Sequence, residues 1–278
     1  MDLQQRLYNH LLEIVRERDP YVASGGHFFV KQYIRQQLSQ WGEVEIHEFQ
    51  VGSKSYENLI LNFPSANQSN LPPILIGAHY DAVPGTPGAD DNGTGVAVLL
   101  ELASVFATKP AKYPLRLIAF DLEEYGLLGS TAYAETLKQA NQPLRLMLSL
   151  EMLGYCDRNK SSQSYPPGLK YFYPSTGDFI TLVGNLTTIP DLIRLSRCIR
   201  QHTPCEWLPV FNQGKLVPQT RLSDHSPFWD RGYAAMMVTD TAFLRNRHYH
   251  QPSDTIDTLD LDFLTTVCQG LIEAIYAL

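Results

Sequence analysis

Three short apolar runs, each ending in an acid or an imidazole, constrain this chain more than anything else in it. Residues 73–76 lead through Gly77 and Ala78 to His79. Residues 115–120 lead into Asp121-Leu122-Glu123-Glu124, and residues 144–150 stop at Glu151. Helix-length segments separate them, an apolar one at 96–106 and another at 130–138. Strands alternating with helices predict an α/β fold, with a mostly parallel sheet covered on both faces. Open sheets of this kind build their sites at the carboxyl ends of the strands. The three polar clusters fall at that edge.

The flanks fit the same plan. Leu3, Leu7, Leu11 and Ile14 recur at helical spacing, with Asp2 placed to cap them. Asp19-Pro20 and Gly25-Gly26 read as interruptions before a second helix through Phe29, Tyr33, Ile34 and Leu38. Val44, Ile46 and Phe49 begin an extended stretch, and residues 58–63 form another. Residues 180–183 and 233–238 read as strands, and 191–200 and 262–278 as helices. No repeat or linker divides the chain, so one domain over residues 1–278 is expected.

Charge and cysteine content narrow the function classes. The net formal charge is −7, with no long basic run, which argues against nucleic acid or an anionic membrane as the main partner. No apolar run approaches the ~18–20 residues of a membrane span. The amphipathic start lacks the layout of a signal peptide, so a cytoplasmic location is expected. Cys156, Cys198, Cys205 and Cys268 show no C-x-x-C spacing and read as free thiols, with a Cys198–Cys205 bridge left open.

Each polar cluster has an ordinary reading and a chemical one. His79 could be a strand-end histidine satisfied by Asp81, or a metal ligand oriented by it. Residues 87–93, PGADDNG, could be a tight turn or a loop holding one carboxylate rigidly. Glu123-Glu124 could be a solvated pair. Neighbours leaving a strand point to opposite sides, so one glutamate can instead bind metal while the other faces a water. Glu151 closes a buried-type strand and calls for a cation. Ser223-Asp224-His225 could cap the segment that follows. Of His248 and His250, at least one can be ordinary.

Together, His79, Asp91, Glu124, Glu151 and His250 offer two imidazoles and three carboxylates. Mixed nitrogen and oxygen donors without thiolate suit zinc in an open catalytic site. Two Zn²⁺ and a bridging hydroxide would balance the three carboxylates. Without metal, converging carboxylates should repel one another and rise in pKa.

The motifs HYD, PGADDNGTG, DLEEYGLLGS, SLEMLGY, SDHSPFWDRG and HYHQPSDT occur in one order from His79 onward. In that order they closely resemble the co-catalytic dizinc aminopeptidases related to bacterial leucine aminopeptidase. Glutaminyl cyclase and glutamate carboxypeptidase are more distant members of that group. The resemblance implies a three-layer α/β/α sandwich around a mixed, mainly parallel sheet. It implies two Zn²⁺ per chain, bridged by Asp91, with Glu124 and His250 completing one site and His79 and Glu151 the other. It assigns Glu123 as general base and Asp81 as the residue orienting His79. His250 is preferred over His248 because Asp254-Thr255 follows at the family's spacing. The expected substrate is a peptide with a free N-terminus, with cyclase or carboxypeptidase activity as the alternative on the same fold. A non-catalytic binding module is the remaining one.

Two departures stand out. Some secreted relatives carry a Tyr just upstream of SDH, and residues 217–222, VPQTRL, contain none. Tyr249 is then the candidate for stabilising the oxyanion, with Arg221 or His225 in reserve. The position of Glu151 is Asp in some relatives.

Overall fold

The computed structural model describes residues 1–68 and 70–278. Among them, eight strands form one sheet: β1 (Val44–Val51), β2 (Lys54–Phe63), β3 (Ile74–His79), β4 (Leu115–Phe120), β5 (Leu146–Glu151), β6 (Ile180–Asn185), β7 (Cys205–Val210) and β8 (Ala235–Thr239). Their order across the sheet is β1-β2-β4-β3-β5-β8-β6-β7. The central strands β4, β3, β5 and β8 run parallel. The β1–β2 hairpin joins β4 antiparallel, and β6 joins β8 antiparallel while pairing parallel with β7.

Alternation along the strands divides the core in two. Ile74, Ile76 and Ala78 of β3 belong to the larger cluster, with α1 (Leu3–Ile14), α2 (Ser24–Ser39), α3 (Gly95–Thr108), α5 (Ile189–Ile199) and α7 (Leu261–Ala277). Leu75, between them, belongs to the smaller cluster, with α4 (Leu128–Gln139) and α6 (Ser226–Asp230). The sheet is thus covered on both faces, and every residue of β3 and β5 is buried. Each fully buried aliphatic side chain contributes about 1.5–3 kcal/mol. Gly77 admits the Phe120 ring, because a Cβ there would stand 2.3 Å from Phe120 Cε2.

Asp2 caps α1 as expected, its side chain accepting from the Gln5 N–H. Three details differ from the sequence reading. Gly25 and Gly26 lie inside the first turn of α2 rather than before it. Strand β7, CEWLPV, was not foreseen. It is an edge strand, only half-buried between its ends, where Pro209 is tolerated and apolar alternation fades. Ser223-Asp224-His225 does not cap α6, which has no side-chain cap hydrogen bond. All four cysteines are free thiols. No helix among the described residues is long and apolar enough to cross a membrane.

Candidate metal centre

The sheet register delivers the first two candidate ligands. Pairing Gly77 with Ser149 brings the ends of β3 and β5 together, and His79 Nε2 lies 3.5 Å from Glu151 Oε1. His79 also pairs with Phe120 across β3–β4, so the chain leaving β4 arrives beside it with Glu123 and Glu124. Glu123 Oε2 lies 4.0 Å from His79 Nε2. Asp81 does not bond the imidazole closely, its Oδ1 standing 3.5 Å from His79 Nδ1. Its two oxygens instead accept the backbone N–H groups of Glu123 and Glu124, each at 3.1 Å. Asp81 therefore holds the glutamate pair by its backbone.

Asp91 sits in the segment Ala89–Thr94 that leads into α3, at a kink where its own backbone and that of Asn92 are not helical. Its peptide bond to Asn92 is cis. Asn92 ties the turn to β5, donating to the Leu150 carbonyl at 2.8 Å and accepting from Met152 N at 3.2 Å. Asp91 Oδ1 faces His79 Nε2 at 3.4 Å, and Oδ2 faces His250 Nε2 at 3.1 Å. His250, in the loop after β8, also approaches Glu124 Oε2 at 3.4 Å. All five candidate ligands and Glu123 thus converge on one spot. His248 bonds Ser253 Oγ instead and makes none of these approaches.

The donors fit a metal. Both His79 nitrogens and Glu124 Oε1 are buried without a hydrogen-bond partner. Such atoms are costly unless a ligand meets them. Two groups, His79 with Glu123 and Glu151 and His79 with Asp91 and Glu124, bring their donor atoms within 4.8 Å of one another. Imidazole with carboxylate is a zinc donor set.

The electrostatics follow from crowding. Burial pushes Glu124 up to about 7, with the Asp91 charge adding. Burial raises Glu151 against the opposing pull of His79, and raises Glu123 well above the carboxylate range. Asp91 departs from the expected rise. Burial works against its charge, but it lies between two imidazoles, and His250 and His79 hold it below the usual value. His79 is likewise opposed by burial yet raised by the surrounding carboxylates, Glu123 and Glu151 foremost.

Several supporting residues were not read from the sequence. Ser223 Oγ donates to Glu151 Oε2 at 2.7 Å. Asp224 is fully buried, and burial pushes it up to about 7. Asp254 accepts the N–H groups of Asp90 and Asp91 at 2.9 and 3.1 Å. The signal for Ser223 and Asp224 is visible in the SDH motif, for which the sequence left a cap and a functional role equally open.

Tyr249 stacks on His250, with ring centroids 3.7 Å apart. Burial and the nearby Asp91, Glu151 and Glu124 charges raise its phenol, keeping it protonated. The two reserve candidates are engaged elsewhere. Arg221 bonds the Gln213 carbonyl and Asp230, and His225 bonds the Thr220 carbonyl. Glu151 and Tyr249 also border a pocket lined by Tyr165, Phe179, Val183, Leu208, Met237 and Phe243, among others. None of its described lining residues is Lys, Arg or His.

The sequence profile of peptidase family M28 matches residues 58–188 and 201–275. An uncharacterized Escherichia coli protein, YfbL, is 34% identical over 260 residues, covering 88% of this chain and 78% of that protein. Aminopeptidase YwaD of Bacillus subtilis is 41% identical over 93 residues, covering 33% of this chain but only 20% of YwaD. The chain therefore spans a minor part of this aminopeptidase relative. The crystal structure of the Legionella pneumophila LapA aminopeptidase has the same fold, with a TM-score of 0.74 at 19% identity, covering 99% of this chain and 70% of LapA.

Proposed function

The chain belongs to peptidase family M28, and from that premise we propose that it is a dizinc aminopeptidase, removing N-terminal residues from peptides. One observation carries the reading: the two oxygens of Asp91 face two different imidazoles, His79 and His250. In this reading Asp91 would help hold two zinc ions, with His79 and Glu151 holding one and Glu124 and His250 the other. When bound, zinc lowers the pKa of a water toward ~7 and polarises a carbonyl.

The chain's own groups do the rest. Glu123 takes a proton from the attacking water and passes it to the leaving amine. Its carboxylate stands 4.0 Å from His79 Nε2, beside the groups that would hold the metal. Asp81, through the two backbone N–H groups it accepts, fixes where Glu123 and Glu124 point. The Tyr249 hydroxyl donates to the oxygen that becomes negative as the carbonyl is attacked.

The substrate's free amine meets the carboxylates. Its side chain enters the adjoining pocket, whose aromatic and aliphatic walls favour an apolar N-terminal residue. A carboxypeptidase needs a cation for the substrate carboxylate, and the described lining of the pocket supplies none. EEYGLLGS runs on without the insertion of animal-type cyclases, which favours the peptidase. We read the 278 residues as one catalytic domain, supported by the single sheet. Its compartment is then the reducing cytoplasm, supported by the four free thiols.

The test is a panel of aminoacyl, N-blocked and N-terminal-glutaminyl peptides, with a parallel zinc titration. Hydrolysis restricted to free N-termini is expected, with zinc approaching two per chain. Cyclisation of the glutaminyl peptide without cleavage, or a firm stoichiometry of one, overturns the proposal.

A further inference from the structure

Arg18 is fully buried in the segment between α1 and α2, and its guanidinium is aimed at backbone around the site. Nε donates to the Tyr80 carbonyl at 2.9 Å. Nη1 donates to Pro87 at 2.5 Å and reaches Arg16 at 3.4 Å. Nη2 donates to Gly88 at 2.8 Å and to Asp91 at 3.3 Å. All these acceptors are carbonyls. Tyr80 lies between His79 and Asp81, and Asp91 is itself a candidate ligand. One rigid fork therefore joins the end of β3 to the turn that carries Asp91.

Two further features point the same way. Gly88 has a left-handed φ of 61°, and a Cβ there would stand 2.4 Å from the Asp91 carbonyl oxygen and 2.7 and 2.8 Å from Arg18 Nη2 and Nη1. The turn is shaped to admit the guanidinium. Asp254 grips the Asp91 N–H from the other side at 3.1 Å. The backbone N–H of Asp91 thus meets a carboxyl group and its carbonyl a guanidinium, which holds the residue at both ends.

We propose that Arg18 is a positioning residue for the metal centre: it sets Asp91 so that its two carboxylate oxygens face His79 and His250, where the metal would be held. The assignment rests on reading the cluster as a metal centre. A lysine keeps the charge but presents a point donor, so it cannot span Tyr80, Pro87, Gly88 and Asp91 together. The competing explanation is that Arg18 merely anchors the α1–α2 connection to the core. That role would lower the stability of metal-free and zinc-loaded protein alike and leave zinc affinity unchanged.

The experiment compares wild type with Arg18→Lys, measuring zinc affinity by chelator competition and thermal unfolding with and without zinc. The variant should bind zinc about 10–100-fold more weakly, the usual cost of losing an outer support of a ligand. The rise in melting temperature on zinc binding should shrink. At saturating zinc, kcat should fall at least ~10-fold with KM within ~2-fold, marking a loss confined to the transition state. Arg18→Gln, which keeps an N–H₂ donor without the charge or the fork, carries the same measurement if Arg18→Lys does not fold. A wild type that binds no zinc defeats the metal reading. A folded variant that binds zinc and turns over like wild type defeats the role of Arg18 alone.

Discussion

The ligand cluster and the apolar pocket meet at Glu151 and Tyr249, yet they are made in opposite ways. In the cluster, His79 and Glu151 end neighbouring strands, and Asp91, Glu123 and Glu124 have backbone groups held by Arg18, Asp254 or Asp81. The pocket draws much of its wall from irregular stretches around Tyr165, Leu222 and Phe243. Rigid sheet edge supports the chemistry, and loops support selection. Changes in the cluster should therefore alter zinc content or kcat for every substrate. Changes in the pocket should alter only which substrates are preferred.

The largest expected effect is at the glutamate pair. Glu123→Gln should lower kcat by about 10²–10⁴ while zinc content stays that of wild type. Glu124→Gln should instead weaken zinc binding, seen as metal lost on dialysis. Zinc loss from the first variant and retention by the second would exchange the two roles. At the border of the regions, Tyr249→Phe removes only the hydroxyl. A fall in kcat of about 10²–10³ is expected, with zinc content and KM little changed. A near-normal kcat would take Tyr249 out of the reaction. The smallest effect belongs to the pocket. Phe243→Ala should reduce kcat/KM for an N-terminal leucyl peptide about 10-fold and leave an alanyl peptide within ~2-fold. An equal loss for both peptides would mean that the pocket wall acts on the cluster, and the division between them would fail.

Legibility in the sequence followed the same division. β3, β4 and β5 were readable because each is an apolar run with an abrupt polar end, and those ends are where the candidate ligands sit. β7 was not, since an edge strand is only partly buried and carries no such contrast. Arg18 lies in the run RERD, which reads as solvated surface. Nothing local distinguishes a guanidinium that will fold inward onto carbonyls at residues 80–91. Ser223 and Asp224 stayed ambiguous because a serine and an aspartate before a short helix have caps as their usual use. The pocket was illegible for a different reason. Its lining comes from segments spread from Glu151 to Tyr249, and no periodicity links them.

The place of β8 has a consequence for how the molecule is made. It is the last of the described strands, but it lies between β5 and β6 in the sheet. Until it is synthesised, β6 and β7 have no hydrogen-bonded route to the first five strands. His250 follows β8, so it emerges 99 residues after Glu151. At typical translation speeds of about 5–20 residues per second, that is a delay of roughly 5–20 s. During that interval a nascent chain already displays His79, Asp91, Glu124 and Glu151 but lacks the second imidazole. On the proposed reading, a site that needs both imidazoles stays incomplete until His250 has emerged.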